Sequence, residues 1–289
     1  MAEAGATLKI RVFLEMIKFT HTIFALPFAL TGALLAAGGI PTFRQILWIV
    51  MAMVGARTAA MAMNRLIDAE IDARNPRTAG RAIPAGQIGK GVTLLFIIAA
   101  TALMLFSAAM LNPLCLKLSP IAFLFLLLYS YCKRFTSLAH LVLGICLAAA
   151  PIGAWIAIRG TIDPPALILG CAVLFWVAGF DILYALQDLE FDRADGLHSI
   201  PVLLGVTGSL WAARLFHLVM IGLMSSLIAV QHLGGFFLAG VILAAVLLLY
   251  EHWLLRNGDL AKLDAAFFNM NGYISVAVLL FTTAEVLSR

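Results

Sequence analysis

The sequence predicts an all-α polytopic membrane protein, a bundle of nine transmembrane helices, on three observations. Hydrophobic residues make up 63% of the 289-residue chain and charged residues 12%, about half the charged share of a soluble globular protein. Apolar runs of roughly 20 residues, each long enough to cross a bilayer as a helix, recur along the whole chain. These runs lack the period-2 alternation of barrel strands, and in lipid only helices or closed barrels satisfy the backbone.

Taken in order, the spans fall at about 13–37, 44–64, 91–111, 114–131, 138–158, 165–186, 209–230, 234–254 and 266–287. The first resembles a signal peptide, with Lys9, Arg11 and Lys18 leading into an apolar run that ends in small residues. His21 and Pro27 interrupt that run and many spans follow, so an uncleaved first span is expected. Most connections are short, as at 133–137 and 231–233. Two are long, 65–90 and 187–208, and they hold seven of the fifteen acidic residues. Function concentrates in such loops. The cysteines (Cys115, Cys132, Cys146 and Cys171) form no C-x-x-C pair, which argues against a disulfide framework or a zinc site.

With nine spans, fourteen lysines and arginines fall on the side of the long loops. Four (Arg44, Lys117, Arg159 and Arg289) fall on the other, and Arg57 lies within a span. The positive-inside rule then puts the long loops in the cytoplasm, for a multi-pass protein of the inner membrane. The net charge of +4 is explained by topology and calls for no nucleic acid.

In the first long loop Asn64, Asp68 and Asp72 are spaced four apart, which stacks them on one helix face. Stacked carboxylates repel unless a cation lies between them, and hard oxygen ligands that leave room for phosphate suit Mg²⁺. The pattern D-x-E-x-D returns at Asp188, Glu190 and Asp192, with Tyr184 four residues upstream. Each copy is followed by Ile-Pro, at Ile83-Pro84 and Ile200-Pro201. Two acidic clusters facing one site, carried by a parallel duplication of a four-helix unit, account for this repeat. Glu70 and Glu190 fall off the stripe and are expected in solvent.

Each motif helix continues its polar stripe into the membrane, through Arg57 in one copy and Asp181 in the other. A charge within a span costs about 2.5–3.5 kcal/mol and needs a partner. Arg57 therefore pairs either with Asp181 or with the carboxylate of a bound ligand. On the rim, Arg74, Arg77, Arg81, Lys133 and Arg134 surround the acidic groups. Arg forks and bridging metal suit a diphosphate, and the Met-, Phe- and Leu-rich remainder suits a long hydrocarbon attached to it.

These residues together resemble the UbiA superfamily of intramembrane prenyltransferases. The resemblance rests on N-x-x-x-D-x-x-x-D at Asn64, R-T-x-x-R-x-I-P-x-G from Arg77, and D-x-x-Y-A-x-x-D-x-x-x-D from Asp181. Two further segments add to it: Tyr129 followed by Lys133-Arg134, one residue longer than Y-x-x-K-R, and the stretch from Lys18 through His21 to Pro27. It covers nearly the whole chain, as a single integral-membrane domain over 1–289. It implies that Asn64, Asp68, Asp72, Asp188 and Asp192 hold Mg²⁺ and a polyprenyl diphosphate, with Arg77, Arg81, Lys133 and Arg134 on the diphosphate oxygens.

The implied reaction moves the polyprenyl group to a ring carbon of a hydroxylated aromatic acid of 4-hydroxybenzoate type, in ubiquinone or menaquinone biosynthesis. Asp68, Asp72, Asp188, Asp192 and Asp181 are the candidate catalytic groups, with Arg57, His21 and Tyr184 near the acceptor. Arg65 stands where members acting on 4-hydroxybenzoate commonly carry Asp. That departure opens the alternative of a dihydroxynaphthoate of the futalosine menaquinone route, beside haem, homogentisate, chlorophyllide or a lipid headgroup. A reading of another class, a cation transporter, would want charge through the whole membrane depth, and the far half is almost uncharged. The sequence leaves the oligomeric state open.

Overall fold

The structure is a computed structural model that describes residues 12–13, 15–16, 25–255 and 270–289. His21 lies outside them. The described chain is helical without strands: α1 Ala25–Ala37, α2 Phe43–Ile67, α3 Ala69–Arg74, α4 Lys90–Leu111, α5 Pro113–Cys132, α6 Ala139–Arg159, α7 Pro164–Ala185, a 3-10 turn Leu186–Asp188, α8 Leu189–Ala194, α9 Ile200–Val230, α10 Gly235–Leu254 and α11 Asn271–Leu287. Seven of these segments are long and apolar enough to cross a bilayer, and α1 and α11 are shorter apolar helices.

The helix α7 is the axis of the larger core. Leu169, Val173, Trp176, Val177 and Phe180 are buried with Phe28 of α1, Met220 and Met224 of α9, Phe237 and Leu248 of α10 and Ile274 of α11. Small residues let the helix backbones touch where no hydrophobic effect drives helix against helix in lipid. A Cβ on Gly55 of α2 would lie 2.7 Å from the Met104 nitrogen of α4, and one on Gly144 of α6 would lie 2.5 Å from the Leu174 carbonyl oxygen of α7.

Two local departures from the sequence expectation have identifiable causes. The continuous acidic helix expected through Asn64, Asp68 and Asp72 breaks at Asp68, where φ −88° and ψ 3° end α2 and begin α3. The second copy breaks at the equivalent Asp188, with φ −101° and ψ 3°. The helix expected from 209 begins instead at Ile200, because Ser199 Oγ caps the Val202 N–H at 3.2 Å and Pro201 suits the first turn. Gly205 carries the kink between the two parts, at φ 67°, a conformation glycine adopts without steric cost.

Candidate active site

The face of α2 that carries Arg57, Ala60, Met61 and Asn64 lines a cavity of about 560 Å³. Its other walls come from Met104 of α4, Phe125 and Tyr129 of α5, Cys146 and Gly153 of α6, and Gly170 and Leu174 of α7. From Asn64 the cavity runs as far as Ile49, and fifteen residues of helix measure about 22 Å. Ile121 of α5 and Leu167 of α7 line it and are 53% and 48% exposed, so the cavity is not sealed at these two helices.

Above its polar end the two acidic loops meet. Asn64 Nδ2 donates to Asp68 Oδ2 at 3.0 Å, which preserves the expected stacking for that pair despite the break. Asp68 and Asp72 are 2% and 3% exposed, and burying an unpaired carboxylate costs several kcal/mol. Each therefore has cations. Lys133 Nζ is 3.1 Å from Asp68 Oδ2, and Arg134 is 3.0 Å from Oδ1. The Arg134 contact is an ion pair without hydrogen-bond alignment, so Oδ1 is buried with no aligned donor. Arg81 Nη1 donates to both oxygens of Asp72, at 2.6 and 2.7 Å, and Arg65 lies 4.0 Å from the same carboxylate.

The second carboxylate is held from the first loop. Asn75 Nδ2 and Arg77 Nε donate to Asp188 Oδ1, at 2.9 and 2.8 Å. Burial disfavours the charged form of Arg77, but the hydrogen bond and charge of Asp188 outweigh it and hold the guanidinium above its ordinary pKa. Further out, Arg74 grips Asp195 with two hydrogen bonds, 3.1 and 2.8 Å, and the Arg74 donors hold the Asp195 carboxyl below the usual carboxylate range. Glu70 and Glu190 side chains are 85% and 84% exposed, as the stripe predicts.

The remaining residues singled out in the sequence separate into distinct places. Arg134 also donates to the carbonyls of Ser130 and Ile67, at 2.7 and 2.9 Å, so it closes the C-terminus of α2. Tyr184 accepts from Arg77 Nη1 at 3.3 Å and stands at the rim rather than in the cavity wall. Tyr129 is half-buried, within electrostatic reach of Asp68, Asp181 and Arg65. Asp181 is paired with His140, whose Nδ1 is 2.7 Å from Oδ2. Sequence reasoning missed His140 and Asn75. His140 had a signal, being an ionisable residue inside an expected span. Asn75 had none.

The model of the UbiA prenyltransferase family matches residues 25–273. The chain belongs to that family. A 4-hydroxybenzoate octaprenyltransferase of Vibrio cholerae serotype O1 is 30% identical over 277 residues, 93% of this chain and 95% of the relative. The enzyme of that name from Tolumonas auensis is 30% identical over 82% of each chain. Among solved structures, the apo UbiA homologue of Aeropyrum pernix K1 superposes with TM-score 0.83 at 34% identity, over 93% of this chain and 98% of its own. A UbiA homologue from Archaeoglobus fulgidus bound to GPP and Mg²⁺ shares the fold, with TM-score 0.67 at 19% identity over 96% and 100% of the two chains. The family resemblance and the helical membrane architecture read from the sequence are thus borne out.

Proposed function

We propose that this UbiA-family chain, as one domain, moves a polyprenyl group from polyprenyl diphosphate to a ring carbon of a 4-hydroxybenzoate-type acid in quinone biosynthesis. The carrying observation is an apolar cavity that ends at Asn64, directly under a knot of paired carboxylates and cations. The relatives named as 4-hydroxybenzoate octaprenyltransferases support the acceptor class. The cavity lining at the far end is apolar, which disfavours an ion path and hence a transporter. The lysine and arginine asymmetry supports a cytoplasmic position for the knot, at the inner membrane.

The residues present fit Mg²⁺. The donors are hard oxygens, and Asp68 Oδ1 is buried without an aligned hydrogen bond. Asn64, Asp68, Asp72, Asp188 and Asp192 would hold the ion, which supplies Lewis-acid neutralisation of the leaving diphosphate. The described carboxylates are held apart by cations, and no three acidic, His or Cys groups converge among the described residues. A diphosphate resolves this. Arg77, Arg81 and Lys133 pass to its oxygens and release their carboxylates, so the anion and the metal favour each other.

The chain then acts through placement and charge. The guanidinium and ammonium groups stabilise the electron pair that leaves with the diphosphate as the allylic C–O bond breaks. The apolar walls keep water from the allylic cation. The ring carbon beside the acceptor hydroxyl forms the new C–C bond, and Asp181, not itself in the cavity wall but within electrostatic reach of the wall residue Tyr129, accepts the proton lost from the ring. Arg57, in the cavity wall one stripe below Asn64, holds the acceptor carboxylate. Arg65 contacts Asp72, so its departure from the common pattern falls beside the diphosphate end.

The test is turnover by the purified protein in lipid nanodiscs with Mg²⁺ and a polyprenyl diphosphate. Mass spectrometry should find prenylated 4-hydroxybenzoate. Product from a dihydroxynaphthoate alone would move the acceptor, and no prenyl transfer to any aromatic acid would overturn the proposal.

A further inference from the structure

We infer that His140 is a positioning residue that fixes the aim of Asp181, and that the start of α9 dictates its tautomer. The inference rests on the prenyl-transfer reading above, in which Asp181 takes the ring proton.

His140 lies in the first turn of α6 and is 4% exposed. Its two ring nitrogens have different partners. Nδ1 is 2.7 Å from Asp181 Oδ2, and Nε2 is 3.4 Å from the backbone nitrogen of Ile200. A helix begins with orphan N–H groups that need acceptors. In α9, Ser199 Oγ takes the Val202 N–H, the Ser199 carbonyl takes that of Leu203 at 3.1 Å, and Pro201 has none. The Ile200 N–H is left, and His140 Nε2 accepts it.

A backbone N–H can only donate, so Nε2 must present its lone pair. The ring proton therefore sits on Nδ1 and is donated to Asp181. Charging the imidazole would put an Nε2 hydrogen against the Ile200 hydrogen, at the positive end of a helix. With its Nε2 lone pair taken by the Ile200 N–H, His140 cannot itself take the substrate proton through Nε2. Its effect is on Asp181. The donated hydrogen bond commits Oδ2 and leaves Oδ1 as the oxygen that takes the ring proton. The close approach of α6 to α7 at Gly144, one turn further on, lets one imidazole bridge the two helices.

The same contact ties Asp181 to the second acidic loop. Just before Ile200, the Leu197 N–H donates to the Asp192 carbonyl at 2.8 Å and the His198 N–H to the Lys133 carbonyl at 2.7 Å. The donor that sets His140 is therefore in register only when that loop is seated on α5.

Two measurements test this. In ¹⁵N-histidine-labelled protein in nanodiscs at neutral pH, the His140 signals, assigned by their loss in His140→Gln, should report a neutral ring protonated on Nδ1. An Nε2-protonated ring or an imidazolium would overturn the inference, with or without turnover. In kinetics, His140→Leu should lower kcat about 10–100-fold, the usual effect of removing a group that orients a ligand or base. The KM for polyprenyl diphosphate should be unchanged. His140→Gln, whose amide can donate to Asp181 and accept from Ile200, should recover most of that loss. A folded His140→Leu with wild-type kcat would overturn the inference while leaving prenyl transfer intact. If His140→Leu does not fold, a His140→Gln enzyme with the same kcat defect as Asp181→Asn would overturn it. Wild-type protein that transfers no prenyl group would count against the proposed function alone, since the tautomer is read without substrate.

Discussion

Arg77 Nε lies 2.8 Å from Asp188 Oδ1, so a cation from the first acidic loop is bound to a carboxylate of the second. The two acidic loops are stitched through the groups that the proposed reaction would need. Without ligand the pairing stabilises the closed loops, and with a diphosphate those cations have an alternative partner of higher charge.

Arg77→Ala should therefore raise the KM for polyprenyl diphosphate about 10–150-fold, the equivalent of one charge-assisted contact of about 1.5–3 kcal/mol. Arg77→Lys should recover little, because a point ammonium cannot reproduce the fork. Arg74→Ala, which removes the outer pair with Asp195, should leave the same KM and the melting temperature close to wild type, since the Arg74 side chain is 55% exposed. Steady-state assays and thermal unfolding in detergent check all three.

Metal removal should mimic loss of the carboxylates. Asp68→Ala and Asp188→Ala should each lower transfer by at least about 10²–10³-fold, the scale of deleting one electrostatic stabiliser, while the protein still elutes as folded material. EDTA should abolish turnover, and added Mg²⁺ should restore it. Undiminished activity in chelated buffer would remove the metal from the mechanism.

Arg57→Ala should raise the KM for the aromatic acid about 10–150-fold through loss of one charge-assisted contact. The KM for polyprenyl diphosphate should stay near wild type. The wild-type enzyme should likewise discriminate against phenol, which lacks the carboxylate. A variant with unaltered acceptor KM would assign Arg57 to the scaffold.

Gly55→Ala should cost about 1–3 kcal/mol as an overpacked contact, because the new methyl would meet backbone atoms of Ala100 and Met104 at 2.8 and 2.7 Å. Gly222→Ala on α9 is the control, with open space around its Cβ position. Thermal unfolding of the pair separates close helix approach from a general intolerance of alanine.

For topology, single cysteines replacing the exposed Glu70 and Glu190, in a protein without its four native cysteines, should both resist an impermeant thiol reagent in intact cells. They should react once the membrane is opened. Ready labelling from outside at either position would invert the proposed orientation.

Much of this arrangement could be read from the chain because lipid permits few solutions. Apolar run length indicated the helices, and the four-residue spacing of Asn64, Asp68 and Asp72 indicated one polar face, of which the Asn64–Asp68 bond survives. The break at Asp68 and at Asp188 was illegible, since no glycine or proline marks it. Both positions are held by ion pairs with residues far along the chain, and such partners leave no local pattern. The start of α9 was missed because its apolar content before the Gly205 kink is short, although Ser199 and Pro201 announce it. Arg134 was read as a rim cation for the diphosphate, and its capping of α2 was illegible because C-capping of another helix depends on tertiary placement. The Asp181 partner was missed for the same reason: His140 lies 41 residues away, on another helix.

The apolar lining of the cavity, set among membrane-spanning helices, determines which concentration this protein experiences. A substrate tail that enters from lipid is delivered by two-dimensional diffusion, and its effective concentration is a mole fraction of the surrounding bilayer. At fixed amounts of protein and polyprenyl diphosphate, adding inert lipid thins that substrate out and slows turnover, while changing the volume of water does not. The prenylated product leaves through the same medium, where the next membrane-bound enzyme can meet it without extraction into water.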